Sequence, residues 1–331
     1  MDTPVAAIAC WLLLHASIGY LGTALARRYA LQARLLDEPG DRRSHTVATP
    51  RGGGIAIVSA LLVGCGLLAF ELPSLRSTIA AFAAGLVLVA GIGWIDDHRP
   101  LSPWGRLAVH VVAAACLALA IQVSTGRGDL AVAAAILAVV LTNVWNFMDG
   151  IDGLAASQAA LIAAGLALVL PAPWALLAAG CAAAVCGFLP WNLPRARIFL
   201  GDVGSGALGY VLAALLVLAV PAMRGHWLWL ALPVSAFAVD AGLTLARRAL
   251  RGERWWTAHT QHAYQSWARR AGHLKVTLAY GLWTAVAVLF IMATPLFDHR
   301  AAVWIVMSVY AVAVVAWSRL GVGRAPNRTG K

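Results

Sequence analysis

Nineteen consecutive residues, Ser77 to Ile95, contain no Asp, Glu, Lys or Arg, and the same holds from Gly54 to Phe70 and from Gly206 to Met223. A bilayer span takes roughly 20 apolar residues as a helix. Inside lipid every backbone N–H and C=O must be satisfied within the protein, so such segments fold as helices. Hydrophobic residues make up 61% of the 331 residues and charged ones 12%, which excludes an ordinary soluble domain. The apolar pattern predicts an all-α, polytopic integral membrane protein of about 11 transmembrane helices: 4–24, 54–71, 78–95, 107–123, 129–147, 155–171, 173–190, 205–222, 227–246, 276–295 and 301–318.

Lys and Arg orient it. With the N-terminus outside, 21 of the 25 basic residues fall in segments facing the cytoplasm, and only Arg76, Arg127, Arg224 and Arg300 lie outside. That bias predicts a cytoplasmic C-terminus. Met1 to Pro4 carries no basic residue while Arg27-Arg28 follows the first span, the charge order of an uncleaved anchor. The formal charge of +11 is spread over many loops, so it speaks for membrane lipids and against nucleic acid as the partner. The five cysteines all lie in apolar runs and read as packing residues. One transmembrane domain is expected over 1–320, with a basic, disordered tail at 321–331. The apolar surface leaves homodimerisation open.

Chemistry concentrates in segments predicted to face the cytoplasm: 25–53, 96–106, 148–154, 191–204 and 247–275. The densest stretch runs Asn143-Val-Trp-Asn146-Phe-Met-Asp149-Gly-Ile-Asp152-Gly-Leu154, between two apolar runs. Carboxylates at such a boundary are costly to bury and mark functional sites. Asp149 and Asp152 share a face if the turn is helical. A polar helix cap explains the same residues in purely structural terms.

The other loops repeat the theme. Asp37 to Gly54 holds Arg42, Arg43 and His45, suited to phosphate oxygens, and a triple glycine that admits a phosphate or a backbone. Asp96-Asp97 closes an apolar run, and one of two adjacent anions can serve as a base. Asn192, Arg195, Phe199, Gly201, Asp202 and Ser205 follow, with Asp202 placed to hold Mg²⁺ beside a helix N-terminus. The last loop carries His259, His262 and Gln265. Phosphate or hydroxyl hydrogen bonds suit the two histidines better than zinc, since no third ligand stands at a fitting spacing.

These loops, in this order, resemble the polyprenyl-phosphate N-acetylhexosamine-1-phosphate transferases, glycosyltransferase family 4. The matching motifs are Asp96-Asp97, Asn143 to Leu154 and Phe199 to Ser205, and the likeness runs from Asp37 to about Gly272. The resemblance implies transfer of a sugar 1-phosphate from a UDP-N-acetylhexosamine to undecaprenyl phosphate, releasing UMP, at the cytoplasmic face of a bacterial inner membrane. It implies Mg²⁺, or Mn²⁺ in its place, on Asp202, with Asp96 and Asp97 as further candidate ligands. Asp96 or Asp97 would deprotonate the lipid phosphate. Asp149, Asp152, His259 and His262 would act at the active site, and Phe199 and Asn192 would hold the uracil and its surroundings. Gln261 stands where the family has a middle histidine, and His262-Ala-Tyr-Gln resembles the O-antigen-initiating branch that handles N-acetylfucosamine or N-acetylquinovosamine.

A one-step attack and a route through a phospho-aspartate both fit. Three rivals remain: a flippase for a phosphorylated lipid, a scaffold descended from the enzyme, and the phospho-N-acetylmuramoyl-pentapeptide transferase of peptidoglycan synthesis. One-sided placement of the ionisable residues favours the enzyme over a carrier, whose polar groups would sit near mid-membrane.

Overall fold

A computed structural model describes residues 5–38, 48–254, 256–257, 259–293 and 296–321. Arg42, Arg43, His45 and the 322–331 tail lie outside them. The described chain is helical almost throughout, with twelve α-helices. They are α1 (Val5–Gln32), α2 (Ile55–Glu71), α3 (Arg76–His98), α4 (Pro103–Thr125), α5 (Gly128–Phe147), α6 (Leu154–Val169), α7 (Trp174–Asn192), α8 (Asp202–Ala219), α9 (Ser235–Leu250), α10 (Ala263–Ala271), α11 (His273–Met292) and α12 (His299–Gly321). Eight have the length and apolar composition to cross a membrane. The apolar α2 and α6 are shorter, at 17 and 16 residues, and α9 also has 16. The protein is thus an all-α, multi-pass membrane protein.

Helix α8 is the centre. Every residue from Val203 to Ala219 is buried, so this helix has no lipid-facing side. Helices α3, α5, α6 and α2 pack around it. Close approach needs small residues. A Cβ on Gly209 would stand 2.2 Å from the Leu141 carbonyl oxygen of α5, and one on Gly93 of α3 would stand 2.4 Å from the Asp202 carbonyl oxygen.

Four local outcomes differ from the apolar pattern. Helix α1 runs eight residues past its predicted end, because Leu25 to Gln32 offers no breaker, and it stops only where Arg34 turns to φ +53°. The predicted span 227–246 is broken into a 3-10 turn, Trp227–Ala231, and α9, because Pro233 lacks an N–H and restricts the residue before it. Helix α10 appears inside the loop 247–275, one face on the core and two arginines in its last turn. A two-residue antiparallel ladder, β1 (Leu36–Asp37) with β2 (Thr49–Pro50), closes the first loop.

That ladder continues into the core. Phe199 N donates to the Pro50 oxygen at 2.8 Å, Gly53 N to the Phe199 oxygen at 2.9 Å and Gly54 N to the Leu200 oxygen at 2.8 Å. The triple glycine therefore admits another backbone. Its neighbour is the 199–201 segment that leads into α8.

Packing at Gly209 gives a direct test. Gly209→Ala should cost about 1–3 kcal/mol through overpacking and lower the unfolding temperature in detergent. Gly66→Ala, whose Cβ would meet nothing within 4 Å, should not.

Candidate active site

The adjacent acids at the end of α3 part company, as residues about 100° apart on a helix must. Asp97 is 1% exposed. Its Oδ1 accepts from Asp202 N at 3.1 Å and its Oδ2 from Val203 N at 3.2 Å. Those amides open α8 and have no partner within the helix. A carboxylate there also favours the helix dipole. Arg51 donates to the Asp97 carbonyl and brings Nε to 3.9 Å from Oδ1. Gly201, at φ +76°, permits this approach, since a Cβ would stand 2.6 Å from Asp97 Oδ2.

Asp96 turns the other way. Its Oδ1 accepts from Leu101 N at 2.6 Å and its Oδ2 from Arg106 Nη1 at 2.7 Å. The same Arg106 nitrogen donates to Asp202 Oδ2 at 2.7 Å. One guanidinium in the first turn of α4 thus ties the end of α3 to the start of α8. The expectation that Asp96 or Asp97 is a free base meets a different arrangement: both are engaged, one by helix amides and one by Arg106.

The long motif also divides. Asn143 Nδ2 donates within its own helix, to the Val139 oxygen at 2.7 Å. Asn146 Nδ2 reaches Ser205 Oγ at 3.2 Å and joins α5 to α8. Asp152 points away from Asp149. Its Oδ1 is 3.2 Å from His273 Nδ1, and its Oδ2 accepts from Ala196 N at 3.2 Å. Asn192 is buried, accepting from Gly153 N at 2.8 Å and donating to the Ile198 oxygen at 2.9 Å. Asp152 and Asn192 are therefore struts between the 148–153 turn and the 193–198 loop. The turn is pinned from above by Tyr264, whose hydroxyl donates to the Phe147 oxygen at 3.0 Å. A Cβ on Gly150 would stand 2.2 Å from that hydroxyl, so glycine is required there.

Between these elements lies a cavity of about 260 Å³. Arg106, Asn146, Asp149, Asp202, His259, His262 and Gln265 line it, with Phe147, Gly150, Trp256, Thr257 and Tyr264. The fold thus gathers Asp149, Asp202, both histidines, Asn146 and Gln265 from separate stretches of the sequence. It leaves Asp96, Asp97, Asp152, Asn143, Asn192, Phe199, Gly201 and Ser205 out of the cavity lining, and Arg195 exposed. Arg106, Trp256, Thr257 and Tyr264 were not among the expected residues. Arg106 had one signal, a lone cation ten residues after Asp96 at the head of an apolar run.

Enclosure by protein pushes the Asp149 carboxyl well above the usual range, and the negative charges of Asp202, Asp97 and Asp37 add to it. Burial lowers the His259 imidazole to about 4, with the charges of His262, Arg248 and Arg247 acting in the same direction and Glu253 opposing. His259 is therefore neutral near pH 7.

Among the described residues no group of three or more His, Cys, Asp or Glu side chains stands ready to enclose a metal ion. Asp149 and Asp202 nevertheless both face the cavity. Mg²⁺ is commonly held by one or two carboxylates completed by substrate phosphates and water. The donor set fits that mode and not a closed all-protein cage.

Fold and site together define a multi-pass membrane protein with a carboxylate-, arginine- and histidine-lined cavity at the ends of its helices. The sequence model for glycosyl transferase family 4 matches residues 79–220, the stretch from α3 to the end of α8. It is 29% identical to decaprenyl-phosphate N-acetylglucosaminephosphotransferase of Mycobacterium tuberculosis, over 95% of this chain and 89% of that protein. It is 29% identical to undecaprenyl-phosphate alpha-N-acetylglucosaminyl 1-phosphate transferase of Thermotoga maritima, over 80% and 83%. Phospho-N-acetylmuramoyl-pentapeptide-transferase of Microcystis aeruginosa matches at 27% over 66% and 65%.

The raised Asp149 carboxyl has a consequence for stability. A folded state that holds a proton more tightly than the unfolded chain, whose carboxyl titrates near about 3.9, loses stability as pH rises from that value through the folded one. Asp149→Asn removes this loss. In EDTA at pH 8 the variant should be more stable than the wild type. It should therefore unfold at a higher temperature, and the gap should close near pH 4. Thermal unfolding from pH 4 to 9 measures it.

Proposed function

We propose that the chain transfers an N-acetylhexosamine 1-phosphate from a UDP-sugar to undecaprenyl or a similar polyprenyl phosphate. An oxygen of the lipid phosphate attacks the sugar-bearing phosphorus. The bond from that phosphorus to the bridging oxygen breaks, and UMP leaves. The carrying observation is the cavity, which sets Asp149 and Asp202 together with His262 and Gln265 where apolar helices end, in a chain whose relatives carry names of this activity.

Each residue has a role derived from its place. Asp202 and Asp149 would hold Mg²⁺ or Mn²⁺, which when bound neutralises pyrophosphate charge. Arg106 holds Asp202 in place and contributes a further positive charge. His262 and Gln265 offer hydrogen bonds to phosphate or sugar hydroxyls, and neutral His259 does so without adding charge. A phosphate monoester has its second pKa near about 6, so the acceptor is largely dianionic at neutral pH and needs no dedicated base. This agrees with the engagement of Asp96 and Asp97 by amides and Arg106. Catalysis then rests on positioning and charge neutralisation.

The named relatives favour N-acetylglucosamine as the sugar over the rarer N-acetylhexosamines of the O-antigen branch. The product would be the first lipid-linked intermediate of an envelope polysaccharide, O-antigen being one such polymer. The site would face the cytoplasm of a bacterial inner membrane, where UDP-sugars are made.

Purified protein with undecaprenyl phosphate, Mg²⁺ and a panel of UDP-N-acetylhexosamines should release UMP only when lipid is present. Asp202→Asn should lower kcat by at least about a hundredfold, on the scale of one lost electrostatic contact to the transition state. UMP release that ignores the lipid, or an unimpaired Asp202→Asn, overturns the reading.

A further inference from the structure

Asp240 lies in α9, outside the cavity, with 2% of its surface exposed. An isolated carboxylate in such a place would be very costly. It is instead engaged by groups from three elements. Its Oδ1 accepts from Ala263 N at 2.8 Å and its Oδ2 from Tyr264 N at 2.9 Å. The Tyr280 hydroxyl, on α11, donates to Oδ2 at 3.0 Å, and Thr244 Oγ1 donates to Oδ1 at 3.3 Å. His262 Nδ1 stands 3.5 Å from Oδ1 in an ion-pair contact, and that nitrogen makes no closer hydrogen bond among the described residues.

These bonds share a target. Ala263 and Tyr264 are the first two residues of α10, and His262 is its N-cap. The cap is also closed by Gln265, whose Oε1 accepts from His262 N at 3.4 Å. One carboxylate from α9 therefore fixes both the start of α10 and the near edge of the His262 ring. The ring is steadied on its faces by His259, at 4.8 Å between centroids, and by Tyr264 at 5.7 Å. With Nδ1 turned to Asp240, Nε2 is the edge left for the cavity. The same α10 start sets Tyr264, which pins the Asp149 turn, and Gln265, which lines the cavity.

We propose that Asp240 is a positioning residue for the active site: it fixes the ring orientation and tautomer of His262 through Nδ1 and seats the helix that carries Gln265. It touches no reacting atom. A histidine's working nitrogen is commonly set by the hydrogen bond its other nitrogen makes to a carboxylate. A purely structural reading, in which Asp240 only caps α10, makes no claim on the His262 nitrogens. The catalytic part of the inference rests on the transferase reading, but the tautomer part does not.

Asp240→Asn keeps an oxygen for the α10 amides while removing the charge that faces His262. Tyr280→Phe removes a different Asp240 partner, keeps the carboxylate and serves as the companion variant. The first readout is the ring ¹⁵N spectrum of histidine-labelled protein, with the His262 signals assigned by their loss in His262→Ala. The wild type should show Nδ1 protonated, and Asp240→Asn should shift that signal while Tyr280→Phe leaves the tautomer unchanged. If Asp240→Asn does not fold, the wild-type tautomer still decides: a His262 ring protonated only on Nε2 overturns the proposal. The second readout is UMP release. Asp240→Asn should lower kcat about 10- to 100-fold, the range for lost support of a working histidine, with a smaller change in KM. In a His262→Ala background the same change should add less than about threefold, because the two act as a unit. Full additivity in that pair, or unchanged ¹⁵N shifts in folded Asp240→Asn, overturns the proposal. Absence of UMP release from the wild type would sink the transferase reading alone, because the ¹⁵N result stands without it.

Discussion

A spanning helix buried on every side has to be held by protein at both ends, and α8 is such a helix. Its first amides have no partner inside the helix. Asp97 supplies two acceptors for them. From that single contact much else follows. Gly201 must take a positive φ to let the carboxylate in, and Arg51 must lie over the back of Asp97. The triple glycine of the first loop must thread between the 199–201 segment and α8 itself, where a Cβ on Gly54 would meet the Gly204 Cα at 2.2 Å. The start of α8 is then rigid, and Asp202, its first residue, is presented to the cavity from a fixed base.

The same constraint governs the carboxylates near this end of the bundle, and each is answered differently. Asp97 is met by amides, Asp96 by an amide and a guanidinium, Asp152 by His273 and the Ala196 amide, and Asp240 by the start of α10. Asp149 and Asp202 are turned to open space instead, and Asp202 shares its arginine with Asp96. Burial without full compensation is tolerated at sites that later receive a partner. The two incompletely answered carboxylates are the pair to which the proposed function assigns a cation.

Much of this was legible in the sequence, for definite reasons. Apolar runs report spans because a bilayer enforces their length and composition, and Pro233 is where a local rule broke a predicted span. Acids next to apolar runs report the site because burying them is expensive. What composition does not encode is direction. Asp149 and Asp152 both look available in the motif, yet one faces the cavity and the other faces His273, and that depends on where α11 begins. Asp96 and Asp97 look like a pair, but a step of about 100° sends them to different partners. Arg106 and Asp240 gave little sign of their roles because a decisive partner lies far along the chain, Asp202 in one case and residues 262 to 264 in the other.

Charge sets the last constraint on how such a cavity can work. Its described lining carries two carboxylates and one arginine already engaged by two acids, while His259 is held neutral. In the proposed transfer a nucleotide diphosphate and a lipid phosphate would bring several further negative charges into this space. With an effective dielectric near about 20, two unit charges about 4 Å apart repel by about 4 kcal/mol. On that reading, bringing two anions together beside Asp149 and Asp202 would call for added positive charge arriving with the substrate. A site built this way has its catalytic field completed only on loading.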